Sequence, residues 1–312
     1  MKNKVICIVG ATASGKTSLS IELAKKIDAE IISADSMQIY KKLDIATAKV
    51  TKEEMEGIPH HMIDICDVEK KFSVAEFKNM CYDEIDNILK KGKNVIVVGG
   101  TGLYMNAIVY DMQFEDETSN QDFRNALYKD VLDKGKDYIY EKLKSIDENA
   151  AKDIHPNNVR RVIRAIEIAE NSDKTKTAHL NDEKERLKKF IHPKYEFFVY
   201  YIDYPRDLLY ERINKRVDIM VEQGLVDEAK MVYDMKLDDT CTCMQSIGYK
   251  EFFEYFEGKI SLDEAIDNLK KATRHYAKRQ MTWFNNKLEC MKLTDYDNTK
   301  KMIDTIITTS NI

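Results

Sequence analysis

Apolar residues along the chain fall into two alternating textures. Short unbroken runs recur at Lys4-Val5-Ile6-Cys7-Ile8-Val9, Glu30-Ile31-Ile32-Ser33, Asn94-Val95-Ile96-Val97-Val98 and Phe197-Phe198-Val199-Tyr200-Tyr201-Ile202. They have strand length and no polar face, which predicts strands of a parallel sheet covered on both sides. Between them the spacing is helical. Ser18 to Ile27 sets Leu19, Leu23, Ala24 and Ile27 on one face, and Val74 to Lys90 does the same with Phe77, Met80, Cys81, Ile85, Ile88 and Leu89. Strand and helix in alternation predict an α/β doubly wound core: a parallel sheet flanked by helices. From 113 to 195 the texture changes to short, heavily charged helical segments without a strand. This predicts an inserted all-helical domain that divides the core into 1–112 and 196–312. Within the insert, Ser172 to Lys189 carries few apolar anchors and reads as a mobile loop and a solvated helix. Beyond residue 202 the pattern is helical, and Ser261 with Glu264 makes a capping box for a helix running to Phe284.

The break between the first strand and the first helix holds the most specific signal. Gly10-Ala11-Thr12-Ala13-Ser14-Gly15-Lys16-Thr17 matches G-x-x-x-x-G-K-[ST] in full. Strand, glycine loop and helix in that order aim backbone N–H groups and the positive end of a helix dipole at an anion. Lys16 adds a mobile charge, and Thr17 adds a hydroxyl for Mg²⁺. The phosphates of a substrate are expected here.

Two other strand ends carry reactive groups. The second strand runs into Ala34-Asp35-Ser36-Met37-Gln38-Ile39-Tyr40. A carboxylate there lies on the rim where parallel sheets bind substrate, so Asp35 can accept a proton and Gln38 can bond a base edge; a plain turn or helix cap fits Asp-Ser equally well. The third run ends in Gly99-Gly100-Thr101-Gly102 rather than in the acidic residue common in ATPases. Small residues let a ligand approach the backbone, with the Thr101 hydroxyl beside it. Pro59-His60-His61 and His155-Pro156 lack a second ligand cluster, so structural histidines are expected.

Composition narrows the partners. No apolar run reaches membrane-spanning length, and the chain opens with too few apolar residues for a signal peptide, so a cytoplasmic location and no membrane are expected. Six scattered cysteines without C-x-x-C spacing read as reduced, idle thiols. A net charge of −5 argues against a nucleic-acid partner unless cations cluster locally. They do. Arg160, Arg161 and Arg164 lie opposite the stripe Val159, Val162, Ile163 and Ile166. Lys270, Lys271, Arg274 and Lys278 recur at helical spacing with Tyr276, Trp283 and Phe284 interleaved. Two such elements in an acidic chain favour phosphate contacts of a polyanion, against the plainer reading of solvated faces.

Taken in order, Gly10 to Thr17, Asp35 to Tyr40, Thr47-Ala48-Lys49, Pro59-His60-His61, Gly99 to Tyr104, Ile247-Gly248-Tyr249-Lys250-Glu251 and Thr273 to Gln280 resemble the tRNA dimethylallyltransferase family over nearly the whole chain. The resemblance implies transfer of a dimethylallyl group from dimethylallyl diphosphate to N6 of adenine 37 of tRNA, with Mg²⁺ and release of diphosphate. It implies Asp35 as the base and Thr101 as an orienting group. Gly10 to Thr17 and Arg216 would hold diphosphate, and Asp35, Ser36, Met37, Gln38, Thr101, Arg124, Arg160, Arg161, Arg164, Arg274 and Lys278 would contact tRNA. A monomer is expected. The family's common Pro is replaced by Ala11 and Val50, and its Asp-Pro-Gln-Arg run by Asn158-Val159-Arg160-Arg161. Three other readings compete: a P-loop kinase of a small metabolite, prenyl transfer to free AMP or ADP, and a non-catalytic RNA-binding protein.

Overall fold

Six parallel strands form one sheet whose order, β3-β2-β4-β1-β5-β6, puts the first strand inside. The computed structural model describes residues 2–114, 121–171, 190–238 and 241–312. In chain order the core elements begin β1 (Asn3–Val9), α1 (Lys16–Ile27), β2 (Ala29–Ser33), β3 (His60–His61), α2 (Val74–Lys90), β4 (Asn94–Gly99) and α3 (Gly102–Val109). After the helices α4 to α7 the chain returns as β5 (Tyr195–Ile202), α8 (Arg206–Glu222), α9 (Leu225–Asp234), α10 (Leu262–Asn286), β6 (Met291–Leu293) and α11 (Thr299–Ser310).

The continuous apolar runs are explained by two cores. Val5, Cys7 and Val9 of β1 pack with Phe77, Cys81, Ile85 and Ile88 of α2 on one face. Ile6 and Ile8 pack with Leu19 and Leu23 of α1 and Ile303 and Ile306 of α11 on the other. A strand with no exposed face needs no alternation. Helix α2 starts where Ser73 Oγ accepts the Glu76 N–H and the Glu76 carboxylate accepts the Ser73 N–H. Met80, expected on its buried stripe, is 39% exposed, because the α2 contact is only as wide as Phe77, Cys81, Ile85 and Ile88. Ser261 Oγ accepts the Glu264 N–H at the start of α10.

The edge strands were not anticipated. β3 has two residues and β6 three, too short for any periodicity. Neighbours define them, through Ile31 against His60 and Ile202 against Leu293.

The chain divides into two compact units, residues 1–112 with 192–312, and Gln113–Ile191. The second ends before residue 195 because β5 already begins at Tyr195. Its described residues form four helices and no strand: α4 (Gln121–Lys134), α5 (Lys136–Ile146), α6 (Glu148–Asp153) and α7 (Val159–Asn171). Leu127, Ile139, Leu143, Val162, Ile163 and Ile166 make its core. The expected loop and helix at Ser172 to Lys189 lie outside the described residues.

Candidate active site

β2, β4 and β1 are neighbours in the sheet, so their carboxyl ends lie side by side. Gly10 follows β1, Asp35 follows β2 and Thr101 follows β4, which brings the three sequence-selected segments together at the rim where such sheets bind ligands. The approach is tight. A Cβ on Gly99 would stand 2.2 Å from the Ala34 carbonyl oxygen, so only glycine lets these ends meet. The Thr101 hydroxyl accepts the Ser36 N–H at 3.0 Å and donates to Ser36 Oγ at 3.3 Å. Asp35 accepts the Met37 N–H at 2.9 Å, which fixes its carboxylate at the start of the turn.

Asp35, Ser36, Met37, Gly99 and Gly100 line a cavity of about 370 Å³, with Thr101 bonded to Ser36 behind them. Thr12, Lys16, Thr17, Asp35 and Arg216 supply a side of hydroxyls and charges; Val217, Met220, Leu225, Ile247 and Leu269 supply an apolar one. Lys16 donates to the Ala11 carbonyl at 2.7 Å. Burial pushes its ammonium down to about 8, with the Asp35 carboxylate opposing and the Arg216 guanidinium adding to the shift. Burial also lowers Arg216, against the pull of Glu54 and Asp35. Within the loop, Ala13 has φ 63°, a left-handed conformation costly for a residue with a side chain. Ser14 Oγ is buried with no hydrogen-bond partner among the described residues. A strained loop holding an orphaned hydroxyl beside a cation is a cradle built for an anion's oxygens.

The remaining sequence-selected groups are engaged as follows. The Gln38 amide nitrogen donates to the carbonyls of Thr47 (3.2 Å) and Ala48 (3.1 Å), while Oε1 accepts from Ser33 Oγ (3.1 Å). Both amide hydrogens hold the cavity wall. Phe284 is buried in the core, and Trp283 donates to Asn106 at 3.2 Å, so neither aromatic is free to stack on a base; Tyr276 does line the cavity. On the same helix Lys270 pairs with Asp218 (2.5 Å) and Arg274 donates to Asn214 (2.6 Å), whereas Lys271 and Lys278 are exposed. In the helical unit Arg124 and Arg164 both grip the buried Glu167, each at 2.7 Å. One carboxylate offsets only one of these two charges, and Arg164 is exposed, as Arg160 and Arg161 are. His61 sits between Glu30 (2.8 Å) and Glu84 (3.1 Å), His60 donates to the Ile58 carbonyl, and His155 accepts the Asn157 N–H.

Sequence reasoning missed three positioning side chains. Gln280 bonds the Thr12 N–H and the Gly100 carbonyl. Arg212 donates to the Ala13 carbonyl at 2.9 Å. Glu228 accepts the N–H groups of Asp44, Ile45 and Ala46 at 2.8 to 3.0 Å and the Tyr249 hydroxyl at 2.9 Å, which fixes the loop carrying Thr47 and Ala48. Only Gln280 lay within a motif already singled out.

Residues 38–287 match the family model described as IPP transferase. The chain belongs to the IPP transferase family. Among curated IPP transferase relatives, the tRNA dimethylallyltransferase of Bacillus subtilis (strain 168) is 47% identical over 288 residues, 92% of this chain and 90% of the relative. A solved tRNA delta(2)-isopentenylpyrophosphate transferase from Staphylococcus epidermidis matches with TM-score 0.72 at 43% identity, covering 99% of each chain. A eukaryotic dimethylallyltransferase solved acting on tRNA matches with TM-score 0.80 at 31% identity, over 99% of this chain and 80% of that one. Cavity and cradle lie in the part of the structure that these IPP transferases share in length.

Proposed function

We propose that this chain transfers a dimethylallyl group from dimethylallyl diphosphate to N6 of adenosine 37 in the anticodon loop of tRNA, acting as a cytoplasmic monomer. One observation carries the reading: a single cavity sets an anion cradle, a carboxylate and an apolar wall against one another. The cradle suits diphosphate, the apolar wall suits a five-carbon hydrocarbon, and Asp35 suits an amine that must shed a proton. A kinase of a small polar metabolite would have no use for the wall of Val217, Met220, Leu225, Ile247 and Leu269. Names of the relatives favour tRNA over free AMP or ADP as acceptor.

In the proposed reaction the adenine leaves its stack, at a cost of a few kcal/mol that is smaller in a loop than in a duplex. Its N6 forms a bond to C1 of the prenyl group as the C1–O bond breaks, and the departing pair of electrons leaves with diphosphate. The N6 proton passes to the Asp35 carboxylate. Lys16, Arg216 and the loop amides meet the charge that grows on diphosphate. Thr101, held by Ser36, orients the reacting groups.

Mg²⁺ fits this donor set. No cluster of three or more His, Cys, Asp or Glu that could cage a metal exists among the described residues. Mg²⁺ does not require one, since it takes a hydroxyl or one carboxylate and completes its shell with substrate phosphates and water. Thr17, lining the cavity beside Lys16, would hold it, and the ion would supply charge neutralisation to the leaving group.

The test incubates the protein with Mg²⁺, labelled dimethylallyl diphosphate and unmodified tRNA, followed by digestion to nucleosides. Label on N6-dimethylallyladenosine is expected, with Asp35→Asn slowing transfer by about 100-fold or more while prenyl diphosphate still binds. Label that never reaches RNA, combined with ATP-dependent phosphorylation of a metabolite, overturns the proposal.

A further inference from the structure

The diphosphate cradle and the Thr101 loop leave different strands, β1 and β4, and the transfer reaction needs them in fixed register. One side chain spans them. Gln280, on α10 and only 6% exposed, accepts the Thr12 N–H through Oε1 at 2.8 Å and donates through Nε2 to the Gly100 carbonyl at 3.0 Å. The space around it is shaped for this bridge. A Cβ on Gly100 would lie 2.3 Å from Gln280 Nε2 and 3.5 Å from the Gly10 carbonyl oxygen. Gly100 is not in the left-handed region, so its backbone does not demand glycine. What excludes a side chain there is the glutamine. The hydroxyl of Tyr276, one turn earlier on α10, engages both Gln280 and Thr101, and Thr101 in turn holds Ser36 beside Asp35.

We infer that Gln280 is a positioning residue that locks the phosphate loop to the Gly100-Thr101 turn and so sets the distance between the prenyl C1 and the Asp35–Thr101 pair; the inference rests on the prenyl-transfer reading above. Because the Thr12 N–H is already bonded to Gln280, losing the glutamine does not take that donor away from diphosphate. It loosens the alignment of the two reacting partners. Displacements of this kind slow chemistry far more than they weaken binding.

Gln280→Met keeps the length and removes both bonds; Gln280→Glu retains an acceptor for the Thr12 N–H but sets an oxygen against the Gly100 carbonyl. Single-turnover transfer, normalised to the folded fraction, is measured with KM for dimethylallyl diphosphate. The expected result is a fall in rate of about 10- to 100-fold in Gln280→Met with KM changed by less than about threefold. Gln280→Glu should fall in rate as well, which shows that the arm to Gly100 is needed. Gly100→Ala attacks the same bridge from its other side and keeps the test open should the Gln280 variants fold poorly. Alone it should slow transfer with KM unchanged, and its defect should be largely absent in a Gln280→Ala background, where the side chain that the new methyl would strike is gone, a non-additivity expected of residues in contact. Wild-type rates in Gln280→Met, a KM that rises while the rate is preserved, or full additivity of Gly100→Ala with Gln280→Ala would each overturn the inference. Failure of the wild-type protein to prenylate tRNA is a different result: it removes the proposed function, and the positioning role with it.

Discussion

Lys16 offers the sharpest test of the cradle, because its ammonium titrates within reach of ordinary buffers. Burial holds it at about 8, down from 10.5. In the free protein the ammonium is retained below that pH and lost as pH rises through it. Capture of a diphosphate should therefore be strong on the acid side and weaken on the alkaline side. With a pKa of about 8, roughly 3% of the protein carries the charge at about pH 9.5, so kcat/KM for the prenyl diphosphate should drop about 30-fold from its value near pH 6.5. A bound anion favours the charged form, so kcat should break at higher pH than kcat/KM. Initial rates across this range at saturating tRNA, with calorimetric binding of inorganic diphosphate alongside, read both effects. Lys16→Arg, charged throughout, should flatten the calorimetric profile whatever its catalytic rate. A wild-type profile level to about pH 9.5, or a break that persists unchanged in Lys16→Arg, would refute the assignment of the charge to Lys16.

Three further outcomes follow from the packing. Glu228→Ala strips the acceptor from three backbone N–H groups and the Tyr249 hydroxyl; urea unfolding should show a loss of about 2–4 kcal/mol, and a loss near zero would mean the 44–48 loop holds itself. Gly99→Ala drives a methyl into the Ala34 carbonyl at 2.2 Å, so thermal melts should show a loss of about 3 kcal/mol or more, or no folded protein at all. In the helical unit, Arg160→Ala and Arg161→Ala should each lower the salt slope of tRNA binding by about 1 with little change in stability. Arg124→Ala should do the reverse, costing about 3 kcal/mol by leaving the buried Glu167 short of a partner, and a salt slope that drops with no change in melting would return Arg124 to the tRNA surface.

The parts of this architecture that could be read from the chain are those whose causes are local. Gly10 to Thr17 declares itself because strand, loop and helix are contiguous, and the doubly covered strands declare themselves because every residue in them is apolar. Asp35 and Thr101 could be chosen because parallel strands put their carboxyl ends on one rim. What escaped notice depends on pairs remote in sequence. Gln280 reaches Thr12 across 268 residues and Glu228 reaches Asp44 across 184. Nothing near Glu228 marks it as different from an ordinary helical polar side chain, and the motif that contains Gln280 does not say which strands the side chain joins. Gln38 and Arg124 show a second kind of dependence on remote partners: the bonds they make to Thr47, Ala48 and Glu167 could not be foreseen from their own neighbourhoods in the chain. Aromatic residues at helical spacing on α10 likewise divided between core and cavity according to which neighbour each meets, as Phe284 and Tyr276 show.

The brevity of β3 and β6 bears on how this chain behaves at high concentration. An unpaired strand border is a template on which another polypeptide can stack and begin a fibril. Here one border exposes two residues and the other three, so a second molecule would find too few amides in line to seed a ladder. Lengthening β6 by designed alternation of valine and threonine past Leu293 should lower the concentration at which the protein precipitates.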